Sequence, residues 1–179
     1  MVQAQMQQKR KGKQNGVRTE WTLVVPVIPG HEQAIQDATL NLFNDPRTRS
    51  AVGQIGTLHE ARTVMLEGGK KLLFASSFDG DWDPYIDDFF ATFVRDAFDA
   101  VLAHAEGYPG SADPTVRGWF MQHTNEAISY NVDFPDATVR AIGKALALQA
   151  AFQQVLDHPE AEQALMHPAL KPLLDFASR

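Results

Sequence analysis

Between residues 58 and 90 the hydrophobic period of the chain changes twice, and those changes predict most of its architecture. LHEARTVMLEGGKKLLFASSFD alternates with period two on both sides of Gly68-Gly69, the pattern of two half-buried strands joined by a tight turn. If the two glycines form a two-residue turn, Glu67 faces Lys70 and the register is fixed. One face then carries His59, Ala61, Thr63 and Met65 opposite Phe78, Ser76, Phe74 and Leu72. The other carries Leu58, Glu60, Arg62, Val64 and Leu66 opposite Asp79, Ser77, Ala75, Leu73 and Lys71. A slip of one residue would exchange the two sets. After Asp79-Gly80 the period becomes helical. Asp83 reads as an N-cap and Pro84 as the first helical residue, and an apolar stripe from Ile86 through Phe89, Phe93 and Phe98 to Leu102 ends at Gly107 and Pro109.

The flanking segments follow the same logic. Residues 21–28, WTLVVPVI, form a short valine-rich run that predicts a buried strand, with Pro26 marking a bulge or an unpaired side. Ala34, Ile35, Ala38, Leu42 and Phe43 recur at helical spacing over residues 31–43. Residues 44–56 are polar, contain Pro46 and two glycines, and read as an irregular turn. A short helix is expected from Asp113-Pro114 through Met121. Residues 127–134, AISYNVDF, alternate strictly and predict a half-polar strand, with Ile128, Tyr130, Val132 and Phe134 on one side. A long helix begins at Asp136 and breaks at His158-Pro159. Three segments result: a flexible basic arm (1–18), an α+β domain (19–135), and a helical extension (136–179) that packs on the same domain or on a partner subunit.

Composition narrows the function more than it names it. The 44% hydrophobic and 21% charged content of the 179 residues are globular values. Cysteine is absent, which removes thiolate nucleophiles, CxxC redox pairs and cysteine-ligated metal sites, and fits a cytoplasmic location. Five of the sixteen basic residues lie in the first eighteen positions, so the rest of the chain carries 11 bases against 22 acids. So acidic a body is a poor partner for nucleic acid, which the arm alone would have to hold. The Gln-rich start lacks the apolar core of a secretory signal, and no segment has the roughly 20 apolar residues of a membrane span.

Candidate chemistry gathers around the second predicted strand pair. Glu60 and Arg62 stand two apart on one strand face with Ser77 opposite Glu60, and buried charges there must either pair or line a wet cavity. Asp79 ends its strand at an Asp-Gly step, the chemistry of a turn, and is also the best candidate for a general base or ligand anchor. Trp82 can cap a pocket, and Asn131 lies on the polar side of the predicted last strand. The acids Asp81, Asp83, Asp87 and Asp88 suit the start of a helix better than a calcium loop. The six histidines show no metal spacing, and no metal is expected. GxSxG, P-loop and GxGxxG motifs are missing.

The order strand, helix, strand, strand, helix, strand, with VVPVIPG at the first strand, resembles the ferredoxin-like βαββαβ antiparallel sheet of the dimeric α+β barrel superfamily. The resemblance implies a homodimer whose two sheets face each other. It implies a small apolar or amphipathic ligand between them, contacted by Glu60, Arg62, Ser77, Asp79, Trp82 and Asn131, with or without catalysis. It also offers an oxidative alternative, a cofactor-independent monooxygenase-like or heme-dependent peroxidase-like enzyme. Ser76-Ser77-Phe78-Asp79-Gly80 is similar to the GxxDG motif of dye-decolorising peroxidases but lacks its first glycine. No cofactor is therefore expected in the leading reading, with heme confined to the alternative.

Overall fold

In the computed structural model, which describes residues 11–177, one antiparallel sheet is built from β1 (Gln14–Asn15), β2 (Arg18–Pro26), β3 (Leu58–Leu66) and β4 (Lys71–Asp79) in the order β1-β2-β4-β3. The β3–β4 register is the one that the alternation predicts from Leu66↔Lys71 to Glu60↔Ser77. Two details differ. The connection is a four-residue loop, with Glu67, Gly68 and Gly69 all at positive φ, in place of a two-residue turn. At the far end Leu58, not His59, faces Phe78, so the strand bulges at His59. The extra residue turns Leu58 toward the core and carries His59, expected on the helix-covered face, out of that alternation.

Helices cover one face. They are α1 (Glu32–Asn44), α2 (Pro46–Ile55), α3 (Trp82–Phe90), α4 (Val94–Leu102) and α5 (Val116–His123). Alternate residues of β2 point toward them: Trp21, Leu23 and Val25 are each 1% exposed. Trp21 organises this layer. Its ring lies 5.5 Å from Phe120 and 5.8 Å from both Phe74 and Trp82, edge to face, and its Nε1–H donates to Thr124 Oγ1 at 2.8 Å. Beside it Phe78 stacks on Tyr85 at 3.8 Å, and burial pushes the Tyr85 phenol up to about 12. Each buried aromatic or large aliphatic side chain contributes roughly 1.5–3 kcal/mol, so this face supplies most of the fold's stability.

The helices correct three expectations. Residues 44–56 are not an irregular turn but end α1 and form α2, with Asp45 accepting from Arg47 N at 2.8 Å as N-cap, Pro46 at the first helical position and Gly56 at φ 65 closing the helix. Buried Thr48, Ala51 and Ile55 dock α2 on the core. The single aromatic helix expected after Asp83 begins instead at Trp82, after Asp81, and breaks between Phe90 and Val94. There Thr92 Oγ1 donates to Phe89 O and accepts from Val94 N, which substitutes side-chain bonds for the helical ladder. The bend lets Phe89, Val94 and Phe98 all reach the same core.

Residues 127–134 form no strand. Their alternation is real, but the edge of β2 that they would join is occupied by β1 and by the bond from Glu20 N to Lys13 O. Only an isolated bridge, Leu23↔Thr124, remains, with Asn125 N donating to Thr22 O at 2.8 Å. Ile128 and Phe134, expected on an apolar side, are 97% and 70% exposed. The fourth strand comes from the segment read as an arm: residues 14–15 pair with 18–19, and Lys11 makes an ion pair with Asp83. Residues 1–10 of that arm lie outside the described residues. Gly16 (φ 62) makes this turn possible, because a Cβ there would sit 2.4 Å from Pro135 O.

The chain divides into two units, one ending at Val139 and one beginning at Arg140. The second holds most of α6 (Val139–Leu156), then α7 (Glu162–Leu165), a 3-10 turn (Pro168–Leu170) and α8 (Lys171–Ala177). None of its described residues is buried, and Leu146, Leu148, Met166 and Phe176 are exposed. No helix among the described residues is long and apolar enough to cross a membrane.

Candidate functional site

The uncovered face of the sheet is ordered in rows, because β2, β4 and β3 are in register. Glu20, Ser77 and Glu60 form one row; Thr22, Ala75 and Arg62 the next; Val24, Leu73 and Val64 the third. Neighbouring strands are about 4.8 Å apart and successive rows roughly 6.8 Å apart, so the three rows span a platform of some 10 by 13 Å. Residues 127–131 hang over its polar end and wall one side of an open cavity of ≈ 350 Å³. That volume lies within the usual range for small-molecule sites.

This overhang is tied down by polar contacts in place of strand pairing. Lys13 Nζ donates to Ile128 O at 2.7 Å, and Asn15 Nδ2 to Tyr130 O at 3.1 Å. Glu20 is the central knot. It is 6% exposed; its Oε1 accepts from the backbone N–H groups of Lys13 and Ala127, both at 3.1 Å, and its Oε2 accepts from Thr22 Oγ1 at 3.0 Å. No ion pair to Glu20 is found among the described residues. Its neighbour in the row, Ser77 Oγ, lies 2.9 Å from the Tyr130 hydroxyl. A buried carboxylate beside a hydroxyl pair thus forms the floor and one wall.

Of the residues singled out from the sequence, Glu60, Arg62, Ser77 and Asn131 line this cavity. Glu60 and Arg62 are exposed and make no ion pair with each other among the described residues, and Asn131 Nδ2 donates to Ser129 Oγ at 3.3 Å. Asp79 and Trp82 are elsewhere. Asp79 Oδ1 is 2.8 Å from His59 Nε2, and Oδ2 accepts from Val139 N at 2.8 Å. It is therefore a clasp between the end of β4, the β3 bulge and the chain beyond Pro135. Trp82 is 2% exposed and packs on Trp21, because α3 begins two residues earlier than its Asp-Pro signal suggests and turns the indole inward. Glu20 and Tyr130 are the residues that sequence reasoning missed. Reading β2 as starting at Trp21 left Glu20 out of the alternation, although it sits two positions before Thr22 on the same face.

The histidines stand apart from the cavity. His123 Nδ1 lies 2.9 Å from Trp119 O with its ring against that indole, while His31 and His104 face each other with Nδ1 atoms 3.1 Å apart. No cluster of three or more potential metal ligands occurs among the described residues. No protein-family model and no curated protein matches the chain.

Proposed function

We propose that this protein is a small-ligand-binding module whose site is the cavity on the uncovered face of the sheet, closed in solution by the same face of a second copy. The observation that carries this reading is the convergence of a buried carboxylate and a Ser77–Tyr130 hydroxyl pair on one open-sided cavity of ≈ 350 Å³. Polar groups held so firmly beside empty volume are arranged for recognition. The ligand is amphipathic: the mostly polar first two rows line the cavity, and beyond its lining the same open face continues as Val24, Leu73 and Val64. A second copy accounts for the exposure of Val64 and Ile128, one in the third row and one between cavity-lining Ala127 and Ser129. The β2-β4-β3 order and the Leu23↔Thr124 bridge support reading the unit as half of a dimeric α+β barrel whose ferredoxin-like sheet has a reduced last strand.

Sedimentation velocity together with native mass spectrometry of the full chain tests the reading. A dimer that Val64→Asp dissociates, and that carries or takes up small amphipathic molecules, supports it. A monomer that shows no saturable binding in calorimetry with amphipathic amines, alcohols and carboxylates overturns it.

A further inference from the structure

We infer that the cavity selects ligands bearing a protonated amine, with Glu20 as the anchor of the cationic head and the Val24–Leu73–Val64 row as the bed of an apolar tail. This inference rests on the cavity reading above and names the chemical class that it takes. Four observations converge on it. First, Glu20 is buried and its carboxylate is balanced by no cation among the described residues. A carboxylate offers about four acceptor positions, of which the two N–H groups and the Thr22 hydroxyl use three. The remaining one belongs to Oε2. An ammonium supplies both the missing donor and the missing charge, and charge-assisted hydrogen bonds are about twice as strong as neutral ones.

Second, the row that begins with Glu20 ends with Glu60, about 10 Å away across Ser77. The head group therefore sits in a row that carries an acid at either end and a hydroxyl between them. Third, the one cationic side chain among the described residues that lines the cavity, Arg62, is in the next row and exposed. It can turn to solvent, where its charge is screened, whereas Glu20 is fixed by three bonds and cannot. The buried charge decides selectivity. Fourth, polarity falls along β2 and β4: Glu20 and Ser77, then Thr22 and Ala75, then Val24 and Leu73, with Val64 beside them and Arg62 as the charged β3 member of the second row. An amphipathic amine laid along the sheet with its head at Glu20 places its tail on the third row, roughly 13 Å away.

Isothermal titration of the full-length protein with n-octylamine, n-octanol and sodium octanoate, matched in tail and different in head, tests the inference. Octylamine is expected to bind roughly tenfold more tightly than octanol, the factor that one charge-assisted bond supplies, and octanoate is expected to bind most weakly. Glu20→Gln keeps an oxygen for the two N–H groups and should erase the preference for amine while leaving octanol binding in place. Glu60→Gln, at an exposed position where folding is not at stake, should reduce the preference by a smaller factor. Leu73→Asn should weaken the amine and the alcohol alike. Equal binding of amine and alcohol, a preference for octanoate, or an amine preference that survives in Glu20→Gln would each overturn the inference while leaving the cavity as a binding site. Failure of all three probes to bind would instead remove the cavity reading itself.

Discussion

The two faces of the β2–β4 ladder are made by alternate residues of the same strands, yet they behave as different materials. Trp21, Leu23 and Phe74 point one way into a layer of interlocked aromatic rings; Glu20, Thr22 and Ser77 point the other way into hydrogen bonds and open space. On the covered face shape complementarity dominates, and removal of volume is costly. On the open face the polar groups are hydrogen-bonded one by one around a void, with an acceptor position of Glu20 left over, so single changes alter the chemistry more than the fold. A step of one residue along the strand thus separates a packed aromatic face from a polar, open one.

Substitutions can break that separation. Trp21→Ala should have the largest effect, lowering unfolding free energy by about 3–5 kcal/mol in urea titrations; a loss below that of any open-face variant would refute the division. Asp79→Ala strands both His59 and the Val139 N–H and should cost about 1–3 kcal/mol, although Asp79 is outside the cavity. Tyr85, on the covered side, is raised by burial from an ordinary 10.0 to about 12. The unfolded chain therefore loses this proton first. Stability should be full below pH 10 and fall through the window up to 12, by about 1.4 kcal/mol per pH unit for this group. Tyr85→Phe should flatten that fall in urea titrations at stepped pH. A residual slope is expected from Tyr108, which burial and Asp99 also hold above its ordinary value. Tyr130→Phe, on the open side, removes one hydrogen bond to Ser77 and should cost about 0.5–1.5 kcal/mol by the same titration. Glu60→Gln should stay within about 0.5 kcal/mol of the parent in thermal melts, as surface changes do.

Strict alternation made the β3–β4 pairing legible, because each side chain's face follows from its neighbour's. Through that pairing Glu60, Arg62 and Ser77 could be grouped in advance. What the sequence concealed depended on long-range competition. Residues 127–134 have a strand's pattern but find the β2 edge occupied, so the pattern has nothing to pair with. Glu20 is buried with its carboxylate hydrogen-bonded because Lys13, across the β1 turn, and Ala127, 107 residues away, bring it N–H groups. The bulge at His59 likewise depends on Asp79, twenty residues away, and inverts the expected facing of Leu58. Other differences were local and had a signal. Asp45-Pro46 and Gly56 spell the start and stop of α2, but weak apolar spacing hid the helix between them.

The position of β3 at one margin of the sheet has a consequence for self-association. Among the described residues its outer backbone groups face no neighbouring strand, which makes it the one long side on which an extended polypeptide could be added. The kink at His59 spoils the straightness of that margin at one end, and Glu60 and Arg62 would lose hydration beside a plain apolar segment. The two charged residues that border the cavity thereby also make this margin a poor template for fibres.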